Sequence, residues 1–287
     1  MGSPCEIQLY APTPGRGQYI ARQLIAEVER LEAKYSRYRA TSLLSQINRC
    51  ATEGGSLEVD EETAGLLDYV GACYHESDGL FDVTAGKLGA IWKFASGKIP
   101  KPAEIEQILA SVGWEKLIWQ RPFLKFPVPG LEIDLGGAVK EYAADRLVIM
   151  AKASGLNHGL MNLGGDIALV GPHPDGGPWE IGIRDPRIQG ALLDSLRLRG
   201  GALATSGDYE RCLILDGVRY SHILNPKTGW PVSGLSSVSV VAPLAVVAGS
   251  LSTIAMLKGE DGARWLQSSG ASALWVDRLG HVGRSFI

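Results

Sequence analysis

Hydrophobic residues recur with two different periods along this chain. In the first half they return every three or four residues, a spacing typical of amphipathic helices. The helices predicted from it cover 18–35, a stretch after Asp60, 102–112 and 138–154. Gly113 and Gly155 stand just past two of these segments, as glycine often does at a helix end. Residues 5–10 alternate between polar and apolar, which predicts an opening strand.

The pattern changes in the second half. Between 160 and 242 the chain consists of short strand-like segments separated by turn clusters such as GPHPDGG and NPKTG. Helical spacing returns near Ala245 and over 260–267, and the segment ALWVD predicts a late strand. Helices and strands are mixed without βαβ alternation, so the fold class is predicted to be α+β. No linker or fixed-period repeat divides the chain, and 1–287 is therefore predicted to be a single compact domain.

Composition removes some classes of function. The 287 residues are 45% hydrophobic and 21% charged with a formal net charge of -3, so no basic footprint for nucleic acid is present. No apolar run reaches the roughly 18 residues of an integral membrane segment. The start lacks the basic and apolar regions of a signal peptide, which indicates a cytoplasmic protein as written. A periplasmic or membrane-anchored location is expected instead if an export segment was trimmed before Met1.

Candidate chemistry lies in short segments rich in glycine, hydroxyl residues and single carboxylates. They cover 35–48, 77–94, 132–147, 160–171, 202–211 and 219–231. In the third of them a predicted strand leads into Gly136–Gly137, followed by a helix that carries Lys140. Exposed amides at such a helix start suit a phosphate, and an ordinary tight turn fits the pattern equally well. Asp82 is interpreted either as a functional group or as a satisfied turn carboxylate.

In their order and spacing these segments resemble the ApbE family. The matching motifs are MGSPCEI, YSRY, DGLFDVTAGKL, IDLGGAVKEYAADR, NLGGDI, TSGDYER and SHILNPKTGWPV, and they span nearly the whole chain. The resemblance implies an ApbE-like, T-fold-like domain with largely antiparallel sheets flanked by helices. It implies an enzyme that uses FAD and Mg²⁺ to transfer FMN to a Thr or Ser hydroxyl of a partner redox protein, releasing AMP. A FAD pyrophosphatase giving FMN and AMP and a non-catalytic flavin-binding protein are the alternatives. The oligomeric state is not indicated.

The resemblance also implies roles for individual residues. His222 is the preferred group for proton transfer, and Asp134 is the second catalytic candidate. Gly137, through its carbonyl, and Thr253 are expected to bind the metal. The positions expected to contact FAD are Met1, Tyr38, Leu80, Phe81, Asp82, Asp134, Lys140, Thr205, Ser206, Gly207, His222 and Ile223.

This chain departs from the family at two positions. Gly249, in AGSLST, stands where the family has a metal-binding aspartate four residues before the threonine. Losing that carboxylate predicts weaker metal binding, which Gly249→Asp is expected to restore, while Ser250 or Ser252 could help through water. Glu141 replaces a glycine common after the lysine and is interpreted as a tolerated variant.

Overall fold

A seven-stranded antiparallel sheet organises the protein, in the strand order β1-β5-β6-β9-β12-β13-β14. The computed structural model describes residues 3–94, 97–209 and 212–286. Smaller sheets are formed by β2-β4-β3, β7-β8 and β10-β11. The strands are β1 (Cys5–Leu9), β2 (Gly55–Glu58), β3 (Ile118–Gln120), β4 (Phe123–Phe126), β5 (Gly159–Leu163), β6 (Asp166–Leu169), β7 (Trp179–Arg184), β8 (Leu192–Leu198), β9 (Gly201–Gly207), β10 (Cys212–Leu215), β11 (Val218–Ser221), β12 (Leu235–Ala242), β13 (Ser272–Asp277) and β14 (Val282–Ser285). The predicted α+β class is confirmed.

Three helices begin where the sequence offers side-chain caps. Thr13, Ser42 and Asp60 each accept a hydrogen bond from a backbone amide of the first turn that follows them. The cap at Thr13 and a proline in the first turn start the first helix before the predicted residue 18. The helices are α1 (Pro14–Tyr35), α2 (Leu43–Glu53), α3 (Glu61–Glu76), α4 (Leu88–Ile91), α5 (Pro102–Leu109), α6 (Val139–Ala153), α7 (Ala245–Leu257) and α8 (Gly262–Ser269).

Both faces of the central sheet are covered. Helices α6 and α7 lie side by side on one face, against β5, β6, β9 and β12. The β7–β8 hairpin packs on the other face, where Trp179 and Ile181 meet Leu203 and Leu274. Alternate residues of the central strands therefore enter different apolar clusters, and β12 is buried on both sides, with Val238 and Val240 on one face and Ser237 and Ser239 on the other.

The segment before Gly136 is not the predicted strand. Leu131, Ile133 and Leu135 are buried in alternation, but residues 131–135 join no sheet. The backbone of Ile133 instead bonds the Asn48 side chain, with its amide 2.7 Å from Oδ1 and its carbonyl 2.9 Å from Nδ2. A single amide side chain thus replaces the neighbouring strand that the alternation predicted.

Two other features differ from the sequence-based expectation. Helix α5 ends at Leu109 rather than at 112, and Gly113 then adopts a φ of +144°. The small sheet β2-β4-β3 lies in a region for which no strand was predicted. Among the described residues, no helix is long and apolar enough to cross a membrane.

Candidate active site

A cleft of about 810 Å³ opens beside α6 and α7, in the size range of small-molecule sites. Other parts of its wall come from the end of α1 and the loop after it, the turn before α6, the β5–β6 turn, β7, β9 and the loop after β11. The predicted site residues that line it are Tyr38, Asp134, Gly137, Lys140, Thr205, Ser206, Gly207, His222, Ile223 and Thr253. Segments far apart in the sequence are therefore brought together at one place.

The stretch 80–82 lies behind the wall of the cleft. Phe81 is 5% exposed, and its ring faces Gly137, where a Cβ would lie 3.6 Å from the ring. Asp82 accepts hydrogen bonds from the Thr84 and Trp114 amides at 2.8 and 3.1 Å, and so fixes a turn. None of Leu80, Phe81 and Asp82 is among the lining residues, so their contact with FAD stays a prediction. Met1 lies outside the described residues.

Hydroxyl groups of β9 and α7 meet on one wall of the cleft. The Ser206 hydroxyl oxygen lies 2.8 Å from that of Ser252 and 3.1 Å from that of Thr253. Ser252 also donates to the Gly249 carbonyl at 3.0 Å. Ser250, in contrast, points away from the cleft and accepts a hydrogen bond from Tyr69 at 3.0 Å. Of the two serines considered as substitutes for the missing aspartate, only Ser252 faces the site.

An ion pair between Lys140 and Asp166 closes the floor of the cleft. Asp166 begins β6, is 2% exposed and also accepts a hydrogen bond from the Thr205 amide at 3.2 Å. Burial lowers the pKa of Lys140, but the charges of Glu141 and Asp166 outweigh it and the pKa is raised. Lys140 is therefore a stable cation next to the hydroxyl wall.

A second ion pair lies at the other side of the cleft, where Arg37 bridges two carboxylates. Its Nη1 is 2.7 Å from Asp134 Oδ2, and its Nη2 is 3.0 Å from Glu132 Oε1. The other oxygen of Asp134 accepts a hydrogen bond from the Gly136 amide at 2.8 Å. The turn that carries Gly136 and Gly137 is thus held by the carboxylate predicted to be catalytic.

Glu141 lies directly against Gly249. A Cβ built on Gly249 would be 2.6 Å from Glu141 Cγ and 3.1 Å from its Cδ, so the glycine leaves the room that the glutamate occupies. Glu141 is 6% exposed and lines the cleft, and its Oε2 has no hydrogen-bond partner among the described residues. Burial raises the pKa of Glu141, the charge of Lys140 opposes this, and that of Asp166 adds to it.

This contact bears on two expectations. Glu141, interpreted from the sequence as a tolerated variant, is a buried carboxylate in the cleft wall. A side chain added at Gly249 would require Glu141 to shift, and the restoration of metal binding by Gly249→Asp stays a prediction.

His222 is exposed in the cleft, one residue beyond β11. Its electrostatic neighbours include Asp208, whose pKa is raised by burial, while the charge of Arg219 opposes this rise. Asp208 is 5% exposed and lies 3.1 Å from Arg219 Nη1. The TSGD segment therefore contributes the Ser206 hydroxyl to the cleft wall and the buried carboxyl of Asp208 near His222.

Three residues with clear positions in the site were not predicted to act in it. Asp166 belongs to the NLGGD segment, and Arg37 lies in the YSRY motif, so the motifs included them without indicating a role. Glu141 departs from the family, and that departure was the available signal. Among the described residues, no group of three or more His, Cys, Asp or Glu side chains could hold a metal ion.

The sequence is similar to characterised proteins along most of its length. The family model described as the ApbE family matches residues 1–275. A protein of Vibrio cholerae named FAD:protein FMN transferase is 31% identical over 271 residues, which are 91% of this chain and 80% of that protein. One of the same name from Salmonella typhimurium is 31% identical over 239 residues, covering 80% of this chain and 68% of its own length.

Solved structures agree in fold. The ApbE protein of Thermotoga maritima superposes with a TM-score of 0.90 at 33% identity, covering 99% of this chain and 94% of its own. The flavin transferase ApbE of Vibrio cholerae gives a TM-score of 0.89 at 27% identity, covering 100% of this chain and 94% of its own. The predicted ApbE-like fold is confirmed, and the chain belongs to the ApbE family.

Proposed function

We propose that this protein is an FAD:protein FMN transferase, which moves FMN from FAD to a Thr or Ser hydroxyl of an acceptor redox protein. One observation carries the proposal. A cleft of about 810 Å³ combines a hydroxyl wall with the cation of Lys140, next to the glycine turn at Gly136–Gly137. Amides, hydroxyls and a fixed cation are the groups that hold a pyrophosphate.

The reaction has a simple balance. The acceptor hydroxyl oxygen forms a bond to the phosphorus of the FMN half of FAD, and the bond from that phosphorus to the bridging oxygen breaks. AMP leaves with the bridging oxygen, and the hydroxyl proton passes to a base. Such a reaction is accelerated mainly by positioning and by stabilising charge on the phosphate oxygens. Lys140, kept protonated by its two carboxylate neighbours, is suited to that charge.

Two side chains of the cleft can take the proton. His222 is exposed at the wall, and a neutral imidazole is a common general base near neutral pH. Asp134 is engaged by Arg37 and by the Gly136 amide, an arrangement suited to positioning the glycine turn. We therefore assign proton transfer to His222 first and keep Asp134 as the second candidate.

A divalent cation, Mg²⁺ in this proposal, would lie against the same wall. The orphaned oxygen of Glu141 supports a cation at this place, because a buried carboxylate oxygen without a partner is costly. The Gly137 carbonyl and the Thr253 hydroxyl are the further ligands we propose, of the oxygen type that Mg²⁺ prefers. When bound, the ion would neutralise charge on the phosphates.

The test is incubation of the purified protein with FAD and Mg²⁺, with and without a peptide that carries a target-type threonine. The matched control is the same peptide with alanine at that position. Covalent flavin fluorescence on the threonine peptide, together with equimolar AMP, is the expected result. AMP without labelled peptide would instead indicate a FAD pyrophosphatase. Tight FAD binding with neither product would identify a flavin-binding protein and overturn both enzymatic functions.

A further inference from the structure

The carboxylate of Glu141 is the most unusual group in the cleft wall. It is 6% exposed, and within the part of the chain that the structure describes its Oε2 has no hydrogen-bond partner, although it lines a cleft that is rich in donors. A buried anion normally has a partner for each oxygen, because removing it from water otherwise costs several kcal/mol. The neighbouring cation, Lys140, lies 3.5 Å from Oε1 and pairs more closely with Asp166. The orphaned oxygen therefore indicates a missing positive partner.

The position of Glu141 on the cleft wall identifies that partner by its chemistry. Its side chain packs against Gly249, and on an α-helix Gly249 shares a face with Ser252 and Thr253, three and four residues later. The Thr253 and Ser252 hydroxyls converge on Ser206 from that face. A carboxylate beside neutral hydroxyl oxygens is a ligand set of a hard divalent cation, which in phosphate-transfer sites uses one or two carboxylates and the substrate phosphates.

The two departures of this chain from its family meet at this contact. The carboxylate lost at position 249 and the carboxylate gained at position 141 occupy one volume, since a Cβ on Gly249 would lie 2.6 Å from Glu141 Cγ. A side chain can therefore fill this space from α7 or from α6, but not from both.

We propose that Glu141, on α6, is the carboxylate ligand of the divalent cation in this chain and replaces the aspartate that the family carries on α7 at the position of Gly249. The inference rests on the proposed function, because the transfer reaction is what requires the cation. In this arrangement the anionic metal ligand is the residue directly after Lys140, so the ammonium group and the carboxylate come from consecutive residues of α6.

The experiment measures metal binding without the reaction. Mn²⁺ alone is titrated into the folded protein and followed by electron paramagnetic resonance and by calorimetry, for the wild type, Glu141→Gln and Glu106→Gln. Glutamine keeps the shape of the side chain and removes its charge. Glu141→Gln is expected to weaken Mn²⁺ binding by roughly tenfold or more. Glu106 is exposed on α5, away from the cleft, and its substitution is expected to leave binding unchanged.

A second pair of variants tests the exchange itself. Glu141→Gly is expected to lose the site, and Glu141→Gly combined with Gly249→Asp is expected to regain it, because the aspartate then occupies the cleared volume. Gly249→Asp alone is expected to lower the thermal midpoint through collision with Glu141. The pair of variants decides the matter even if Glu141→Gln does not fold.

Two results would overturn the proposal: wild-type Mn²⁺ affinity in Glu141→Gln, or a wild-type protein with no saturable Mn²⁺ site. In the first case Glu141 would be only a structural neighbour of Lys140. The transfer assay with FAD and the threonine peptide is run separately. Transfer by the wild type with unaltered Mn²⁺ binding in Glu141→Gln removes this inference and keeps the function. If the wild type transfers no FMN but Glu141→Gln still loses Mn²⁺ binding, this inference is kept and the proposed function is removed.

Discussion

Asp134 joins Arg37 in an ion pair of 2.7 Å that links the turn before α6 to the loop after α1. Arg37 also pairs with Glu132, so the effect of losing the Asp134 carboxylate can be distinguished from the effect of breaking an ion pair of Arg37. Asp134→Asn is expected to lower the transfer rate by roughly 10²-fold or more, since it removes a charge from the cleft itself. The rate is measured as AMP released at saturating FAD.

Glu132→Gln is the matched control for that variant. It breaks the other arm of the Arg37 bridge, and Glu132 does not line the cleft. Both variants are expected to lower the free energy of unfolding by only about 1 kcal/mol, because the pairs are partly exposed. Equal rate losses in the two variants would show that Asp134 acts only through Arg37.

His222 is the group assigned to proton transfer. His222→Gln is expected to lower the transfer rate by roughly 10²–10⁴-fold and to leave FAD affinity within a few-fold of the wild type. Single-turnover kinetics and equilibrium fluorescence separate the two quantities. His75→Gln, at an exposed histidine of α3, is the control. If His222→Gln keeps the wild-type transfer rate, proton transfer would be assigned to Asp134 instead.

The Lys140–Asp166 pair predicts a non-additive effect on stability. Lys140→Met leaves the buried Asp166 charge without its cation and is expected to cost about 3 kcal/mol in the free energy of unfolding. Lys140→Met combined with Asp166→Asn is expected to regain most of this loss, because no uncompensated charge remains. Urea denaturation of the two single variants and the double variant measures the coupling. Additive losses would contradict it.

Glu62 predicts a pH-dependent part of the stability. Its hydrogen bond with Arg30 lowers its pKa from 4.5 to about 2, and Lys34 acts in the same direction against burial. A carboxyl whose pKa is lowered in the folded state stabilises the protein above its unfolded pKa, and this contribution disappears as the pH falls from 4.5 towards 2. Glu62→Gln is therefore expected to cost about 1–2 kcal/mol at pH 7 and progressively less below pH 4.5.

Denaturation of the wild type and Glu62→Gln across that pH range is the measurement. Glu58→Gln, at an exposed carboxylate outside this network, serves as the control. Its free energy of unfolding is expected to differ from that of the wild type by the same amount at each pH. A Glu62→Gln deficit that persists unchanged at pH 3 would mean that the glutamate stabilises by packing rather than by charge.

Local signals in the sequence predicted local structure well. Asp60 marks a helix start because its side chain accepts a hydrogen bond from the amide three residues on, an interaction contained in the sequence itself. Gly155 marks the end of α6 for a similar reason, since its φ of +80° suits glycine. The motif order likewise predicted most of the cleft residues, because the motifs other than DGLFDVTAGKL carry lining residues of their own.

Such local signals did not predict interactions between segments that are distant in the sequence. Apolar residues alternate at 131–135 as they do in a strand, and they are buried in alternation as well. The hydrogen bonds of Ile133 nevertheless go to the Asn48 side chain, which the local sequence does not indicate. The position of Glu141 against Gly249 had no signal in either segment alone. Each departure from the family was visible in the sequence, but their contact required the packing of α6 on α7.

The attachment of α7 to α6 also bears on how the protein is made. Asp145 of α6 accepts hydrogen bonds from the amides of Ala245 and Val246 at 2.7 and 2.9 Å, so the two helices that carry the cleft wall are fastened across 100 residues of chain. β1 pairs with β5 over a longer separation still, from Cys5 to Leu163. Contacts of such range form late, because the intervening loop must first be closed. During synthesis the cleft can therefore assemble only once α7 has left the ribosome, and a nascent chain stopped short of it has no finished cleft.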